Sequence, residues 1–319
     1  MPPTIAVAEH FAGLVADSAA KHGVPLRLVR ISRDGGLLDD AAGLDVIVGA
    51  DIKRPDLRRL LLEHPSVRWV AVFTAGADPV MVPEVVERGI PVTRIRHVHD
   101  VFVAEFAMAV ILGACKRLPE VVLAQQRKEW VTFQPPLLTG QTLVIVGYGE
   151  IGQALAKRAR PFDMRIIGLR AHPQPDDLAD EIWGANRLNE ALGMADYAVI
   201  VVPGGAARHH LIGEDQLRSL PKHGYLINVG RGEVIDEDAL DRVLREGAFA
   251  GAAIDTFSLE PLPAESPLWT NPRVLVTAHL AGLRAAPTYG AVLDQFMDNV
   301  VRFTRGEPLL NQVDVSLGY

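Results

Sequence analysis

A single cysteine, Cys115, occurs among 319 residues, which rules out an internal disulfide and any metal site built on several thiolates. A reducing cytosol permits that, so a cytoplasmic location is expected. No run is long enough to span a bilayer: the most apolar stretch, Val101 to Leu112, contains Glu105 and reads as a buried helix. The first ten residues have no basic region and reach a charge at Glu9, so an export signal is not expected either. Positive charge is not in excess. The formal net charge of −7 argues against a partner recognised through a phosphate backbone. Internal repeats and low-complexity segments are also missing.

What remains is the composition of a folded chain, 49% hydrophobic and 22% charged. Its length exceeds what one core ordinarily supports, so two domains are expected. Short runs rich in valine and isoleucine alternate with helical patterns, the mark of parallel βαβ construction. A first series of strands is expected at Thr4–Ala8, Leu26–Arg30, Asp45–Val48, Arg68–Phe73 and Pro91–Thr93, with helices around Phe11–His22, Pro55–Glu63 and Val80–Glu87. A second series follows the loop Gln134–Gly140, at Leu143–Val146, Arg165–Leu169, Tyr197–Val202, Tyr225–Asn228, Gly251–Ile254 and Val274–Thr277, with a weaker strand near Asn186–Leu188. The expected fold is α/β, with two doubly wound parallel-sheet domains and a cleft between them. Residues 1–98 and 287–319 would form the smaller, discontinuous substrate domain, and 99–286 the other. The helix over Val101–Leu118 and the final helix over Pro287–Arg305 would be the two crossings.

The strongest local signal is T-L-V-I-V-G-Y-G-E-I-G-Q-A-L-A-K-R-A, a buried strand, three glycines at the G-x-G-x-x-G spacing and an amphipathic helix. Gly147 would allow the tight turn, Gly149 the approach of a pyrophosphate, and Gly152 the close packing of helix on strand. The amides of Glu150 and Ile151 would face the phosphates at the positive end of that helix. The position that decides the cofactor, at the end of the next strand, holds Arg170. A carboxylate there would accept hydrogen bonds from the adenosine ribose of NAD, whereas a guanidinium can hold a 2′-phosphate. NADP(H) is therefore the expected cofactor, with NAD(H) the alternative.

Three charged residues follow separate strands of the second series: Arg231 in N-V-G-R-G, Glu260 in D-T-F-S-L-E-P-L and His279 in V-T-A-H-L-A-G. Carboxyl ends of strands in an open parallel sheet line the ligand crevice, so the three can converge there. Val202, Pro203, Val229 and Gly230 are further candidates for cofactor contacts.

These segments resemble the D-isomer-specific 2-hydroxyacid dehydrogenase family over nearly the whole chain. The resemblance is carried by T-A-G-A-D near position 76, V-A-E-F-A near 105, the glycine fingerprint, I-N-V-G-R-G-E-V-I-D-E-D-A-L at 227–240, G-A-A-I-D-T-F-S-L-E-P-L-P at 251–263 and T-A-H-L-A-G at 277–282. It implies a Rossmann-type dinucleotide domain, a flavodoxin-like substrate domain and reduction of a 2-keto acid to the 2-hydroxy acid. Within that reading His279 would donate the proton as general acid and also border the cofactor. Glu260 would orient its imidazole and, as a nearby negative charge, favour the protonated form. Arg231 would hold the substrate carboxylate and polarise the carbonyl. Asp255 would contact the nicotinamide carboxamide or simply cap its strand. Ala75 and Gly76 would present amides to the substrate carboxylate or form a plain turn. Ala278 stands where the family commonly has proline, which removes a fixed backbone angle but no reactive group.

Arg284 and the closing N-Q-V-D-V-S-L-G-Y are similar to bacterial glyoxylate/hydroxypyruvate reductases, which implies that Arg284 helps bind the acid unless it is only a surface residue at the hinge. Two rivals stand beside that reading. One is the same fold acting on another acid with NAD; the other is a nucleotide-sensing co-repressor that keeps the fold without the turnover. A phosphoglycerate enzyme is disfavoured because no length is left for an extra regulatory domain. No metal is expected at the His97, His99 and Asp100 cluster, since nothing in the sequence completes a coordination sphere. His209 and His210 read as part of a solvated loop, and Cys115 as a small buried hydrophobe. The helix over Val101–Leu118, with Trp130 beyond it, is the candidate homodimer contact. No nucleic-acid or membrane partner is expected.

Overall fold

Both sheets are built from strands whose two faces are covered, so the runs are almost continuously apolar and do not alternate. The computed structural model describes residues 2–282 and 289–314. The chain divides into two units, Met1–His99 with Arg284–Tyr319, and Asp100–Leu283.

The first unit holds a five-stranded parallel sheet of β1 (Thr4–Ala8), β2 (Arg27–Ile31), β3 (Leu44–Val48), β4 (Trp69–Ala71) and β5 (Val92–Thr93). Its spatial order is β2-β1-β3-β4-β5, the flavodoxin-like arrangement. Helices α1 (Glu9–His22), α2 (Arg54–Glu63) and α3 (Pro83–Glu87) connect these strands. On one face Leu57, Leu60 and Leu61 of α2 and Val85 of α3 pack on Ile47, Val70 and Val92. The other face is closed by α1 and by the last helix of the chain, Tyr289–Arg305. Val292, Phe296 and Val300 of that helix join Phe11, Val15, Trp69 and Phe73 in one core. Each such side chain taken from water is worth about 1.5–3 kcal/mol, which explains why a helix so distant in sequence returns here.

In the second unit the helices are α4 (His99–Cys115), α5 (Leu118–Gln126), α6 (Glu150–Ala159), α7 (Leu188–Leu192), α8 (Glu214–Ser219) and α9 (Glu237–Arg245), so the last helix of the first unit is α10. The strands are β6 (Thr142–Val146), β7 (Arg165–Leu169), β8 (Glu181–Trp183), β9 (Tyr197–Ile200), β10 (Tyr225–Asn228), β11 (Gly251–Ile254) and β12 (Val274–Val276). They lie in the order β12-β11-β10-β9-β6-β7-β8, all parallel. Counted from β6, this is the Rossmann order 3-2-1-4-5-6 with one strand added. The order reverses between β6 and β9, so their carboxyl ends open the crevice where ligands of such sheets bind. Helices α4 and α6 cover one face, and α7, α8 and α9 the other.

Two expectations need correction. The weak strand near Asn186–Leu188 is instead a short 3₁₀ turn running into α7, and the strand lies earlier, at Glu181–Trp183. Burial decides it. Leu188 is needed in the helix-facing core, whereas Trp183 is the buried end of an extended run beside β7. The helix expected over Val101–Leu118 ends at Cys115. Arg117 takes a left-handed φ of 54°, and Pro119 sits in the first turn of a separate helix, α5. Among the described residues no helix is long and apolar enough to cross a membrane.

Candidate active site

Three loops leave the carboxyl ends of β10, β11 and β12 and are locked to one another by backbone and buried polar groups. Asn228, fully buried at the end of β10, accepts from Gly230 N–H at 3.1 Å and donates to the carbonyl of Arg231 at 3.1 Å. This turn holds Arg231 at the mouth of the sheet, half-buried, with its guanidinium bonded to Gly230 O at 2.9 Å. The next residue, Gly232, lies so close to the second loop that a Cβ would stand 1.8 Å from the carbonyl carbon of Phe257. Only glycine permits that approach.

The second loop carries Glu260. Its Oε1 accepts from Phe257 N–H at 2.9 Å, and its Oε2 lies 2.8 Å from Nδ1 of His279. The carboxylate is therefore anchored at one oxygen and aims the other at the imidazole, leaving Nε2 as the ring atom available for proton transfer. Both side chains remain accessible, 38% for Glu260 and 49% for His279.

His279 itself has a φ of 52°, a region few non-glycine residues enter. Asp255 holds it there. The Asp255 carboxylate, 2% exposed, accepts from the Thr277 hydroxyl at 2.6 Å and from the amides of Leu280 and Ala281 at 2.8 and 3.0 Å, while its own carbonyl accepts from His279 N–H at 2.8 Å. These bonds also replace whatever rigidity a proline at Ala278 would have given. A carboxylate so committed acts first as the clamp of the histidine loop.

The glycine-rich turn sits at the switch point. Gly147 has a φ of 101°, and a Cβ on it would meet Val201 O and Val202 Cγ1 at 2.8 Å. A Cβ on Gly152 would meet Gly147 O at 3.0 Å and Ile145 Cγ2 at 3.1 Å. Gly149, by contrast, is the N-cap of α6 and faces open space. Val202 and Pro203 at the end of β9 lie beside Val229 and Gly230 at the end of β10, close enough that a Cβ on Gly230 would be 2.8 Å from Val202 O. Arg170 is elsewhere on this edge, at the end of β7, where its amide donates to Trp183 O at 3.0 Å.

Residues 108–281 match the sequence profile of the D-isomer specific 2-hydroxyacid dehydrogenase, NAD binding domain. The chain is 34% identical to the glyoxylate reductase of Korarchaeum cryptofilum over 252 residues, 76% of this chain and 75% of that protein.

The chain belongs to the D-isomer specific 2-hydroxyacid dehydrogenases.

Solved structures agree. A member of the family from Xanthobacter autotrophicus, in complex with NADPH and MES, superposes with a TM-score of 0.85 at 27% identity, covering 100% of this chain and 99% of the other. An NADPH-dependent glyoxylate/hydroxypyruvate reductase from Sinorhizobium meliloti, in complex with NADP and malonate, gives 0.83 at 29% identity, covering 99% and 98%. The protein is an NAD(P)-dependent 2-hydroxyacid dehydrogenase.

The second unit of this dehydrogenase is shaped for a dinucleotide. The two crowded glycines close the turn, the open one leaves room above it, and the first turn of α6 has amides with no acceptor inside the helix. Arg170 adds a free cation. Among the described residues its guanidinium makes no hydrogen bond or ion pair, whereas its neighbours Arg160, Arg165 and Arg187 pair with Asp180, Glu181 and Glu190.

Of the residues singled out from the sequence, Glu260 and His279 meet directly, and Arg231 stands on the loop packed against theirs. Ala75 and Gly76 belong to the first unit, on the loop after β4, and are partly exposed. Arg284 lies outside the described residues. His209 and His210 stack at 3.9 Å on an exposed loop, and Cys115 is buried, donating to Pro136 O at 3.3 Å. Sequence reasoning missed Asn228, Thr277 and Tyr148. The first could have been noticed as a polar residue ending an apolar strand just before glycine. Tyr148 fills the crook under the fingerprint, against Gly168, where a Cβ would be 2.4 Å from its ring. Nothing in the sequence pattern marks that contact.

Proposed function

We propose that this dehydrogenase reduces a short 2-keto acid of the glyoxylate or hydroxypyruvate kind, using NADPH and a proton from His279. The reading rests on one observation above the rest, the 2.8 Å pairing of Glu260 with His279 Nδ1. Bound NADPH supplies the hydride. His279 Nε2 delivers the proton to the oxygen on which charge develops. Glu260 fixes the ring so that this nitrogen, and not the other, faces the reaction. Arg231 binds the carboxylate and draws charge toward the carbonyl oxygen. Ala75 and Gly76 of the first unit have amides suited to an acid group. Asp255 keeps the histidine loop in its strained conformation, and an edge of that residue toward the nicotinamide carboxamide is a secondary role.

Support for NADPH comes from the unpaired Arg170 guanidinium, suited to a 2′-phosphate, and from the NADP complexes of the two structural relatives. Support for the substrate comes from the similarity to a glyoxylate reductase and to a glyoxylate/hydroxypyruvate reductase. An absorbance assay at the nicotinamide band, with NADPH and NADH against a panel of 2-keto acids, tests both. The expected result is turnover with NADPH and glyoxylate. Arg170→Ala should weaken NADPH by about 10–100-fold, the worth of charge-assisted hydrogen bonds, with little change for NADH. His279→Ala should lower kcat by about 10²–10⁴-fold with cofactor binding retained. Near-normal turnover in that variant would remove the general-acid assignment, and absence of turnover in the native protein would favour a nucleotide-sensing role.

We further propose a homodimer. Most apolar residues of α4, among them Val103, Ala104, Ala107 and Ile111, are absorbed by the core of their own unit, so the contact expected on that helix moves outward. Leu118, Val122 and Leu123 of α5, and Trp130 four residues beyond its end and 95% exposed, are apolar side chains left uncovered. Sedimentation of the native protein against Leu123→Glu tests it; a native monomer would end the proposal.

A further inference from the structure

The loop after β4 in the first unit has every carbonyl turned onto the protein. Thr74 O accepts from Ile95 N–H at 3.0 Å, Ala75 O from the Arg94 guanidinium at 3.3 Å, Gly76 O from the Thr74 hydroxyl at 2.7 Å, and Ala77 O from Val80 N–H at 3.0 Å. Among the described residues the amides of Ala75, Gly76 and Ala77 have no acceptor. The two facts are linked. A trans peptide is planar, with its C=O and N–H pointing opposite ways, so a carbonyl held inward sends the following N–H outward. Three consecutive donors are thereby presented, the arrangement that receives an anion.

Each of those three peptide planes has its own holder. The Thr74–Ala75 plane is held by a backbone amide and the Gly76–Ala77 plane by the loop's own hydroxyl. The Ala75–Gly76 plane alone depends on a side chain from another element. Arg94 follows β5 directly, and its position is fixed by its amide, which donates to Asn311 O at 3.1 Å, and by the next amide, which holds Thr74 O. Parallel pairing of β4 with β5 brings both chain segments out at the same sheet edge.

We infer that Arg94 is a positioning residue for substrate: by holding Ala75 O it aims Gly76 N–H at the substrate carboxylate. The inference rests on the reading that the Ala75–Gly76 loop receives that carboxylate. Arg94 acts through the peptide, so its loss should weaken acid binding and leave cofactor binding alone.

The test compares Arg94→Met, Arg94→Lys and Gly76→Pro, the last of which deletes the amide in question. Readouts are KM for glyoxylate, Ki for oxalate, KM for NADPH, kcat and melting temperature. Arg94→Met should raise KM for glyoxylate and Ki for oxalate about tenfold, the worth of one hydrogen bond. Its kcat should change less than KM, and KM for NADPH should stay constant. Arg94→Lys, which retains a donor and the charge, should recover most of the loss. If Arg94→Met leaves both acid constants unchanged while Gly76→Pro raises them, the loop binds the acid without Arg94 and the inference fails. If Gly76→Pro also changes neither, the carboxylate reading of the loop fails as well. A matching rise in KM for NADPH, or a fall in melting temperature that Arg94→Lys does not reverse, would make Arg94 a structural residue and likewise overturn the inference.

Discussion

The two units direct backbone donors outward by different means. In the second, the turn after β6 is shaped by what is missing: Gly147 and Gly152 stand where a Cβ would collide, and the start of α6 supplies the donors. In the first, no long helix begins after β4, and the loop is shaped by side chains that pull its carbonyls inward, the Thr74 hydroxyl and the Arg94 guanidinium. The carboxyl edge of the second unit follows the hook strategy too, with the Asp255 carboxylate drawing in two amides and a hydroxyl of the histidine loop. A donor array can thus be set by steric exclusion or by tethering. Exclusion writes itself into a glycine spacing; tethering leaves only an isolated polar residue.

The comparison breaks most sharply at Asp255. Asp255→Ala would take their acceptor from one buried amide, one partly buried amide and a hydroxyl, at about 1–3 kcal/mol for the buried one, and would release His279 from its positive φ. Turnover should fall by about 10²-fold or more, together with the melting temperature, and Asp255→Asn should lie between; kinetics and thermal melting check both. If kcat survived in Asp255→Ala, tethering would be unnecessary at this edge.

Next in size is the contrast within the fingerprint. Gly147→Ala places a methyl 2.8 Å from Val201 O at a positive φ, so the second unit should lose about 1–3 kcal/mol of stability and dinucleotide affinity with it. Gly149→Ala meets no protein atom within 4 Å. It should melt like the native chain yet bind NADPH more weakly, as measured by calorimetry. Equal melting temperatures for the two variants would contradict the steric account.

The smallest effect belongs to a tether outside both sites. On the rim of the first sheet, hydrogen bonds from the Arg30 guanidinium and amide hold the Asp39 carboxyl down at about 2. A carboxylate depressed in the folded state stabilises above its unfolded value and loses that contribution as pH falls through the folded one. The contribution should therefore be complete above about pH 4 and vanish near pH 2. Melting curves of native and Arg30→Met protein should converge over that interval, whereas a constant gap would assign the effect to packing.

Much of this is legible in the sequence. Continuous apolar runs spaced by helical periods required parallel sheets, and the order of the motifs identified the glycine turn and the three strand-end residues Arg231, Glu260 and His279. The boundary of α4 was not legible, because Val101–Leu118 carries a helical pattern throughout and only the backbone conformation of Arg117 interrupts it. β8 was displaced because E-I-W is too short to show a period.

Sequence by itself determined the chemistry-bearing groups, since reactive residue types and glycine spacing are local and cannot be supplied by anything else. Tertiary structure alone decided how those groups are held. That Gly232 abuts Phe257, that Asp255 clamps a loop more than twenty residues away, and that Arg94 governs the peptide of Ala75 all depend on which strand ends lie side by side. Adjacency of that kind arises from sheet order, and sheet order is settled when distant apolar faces are buried together.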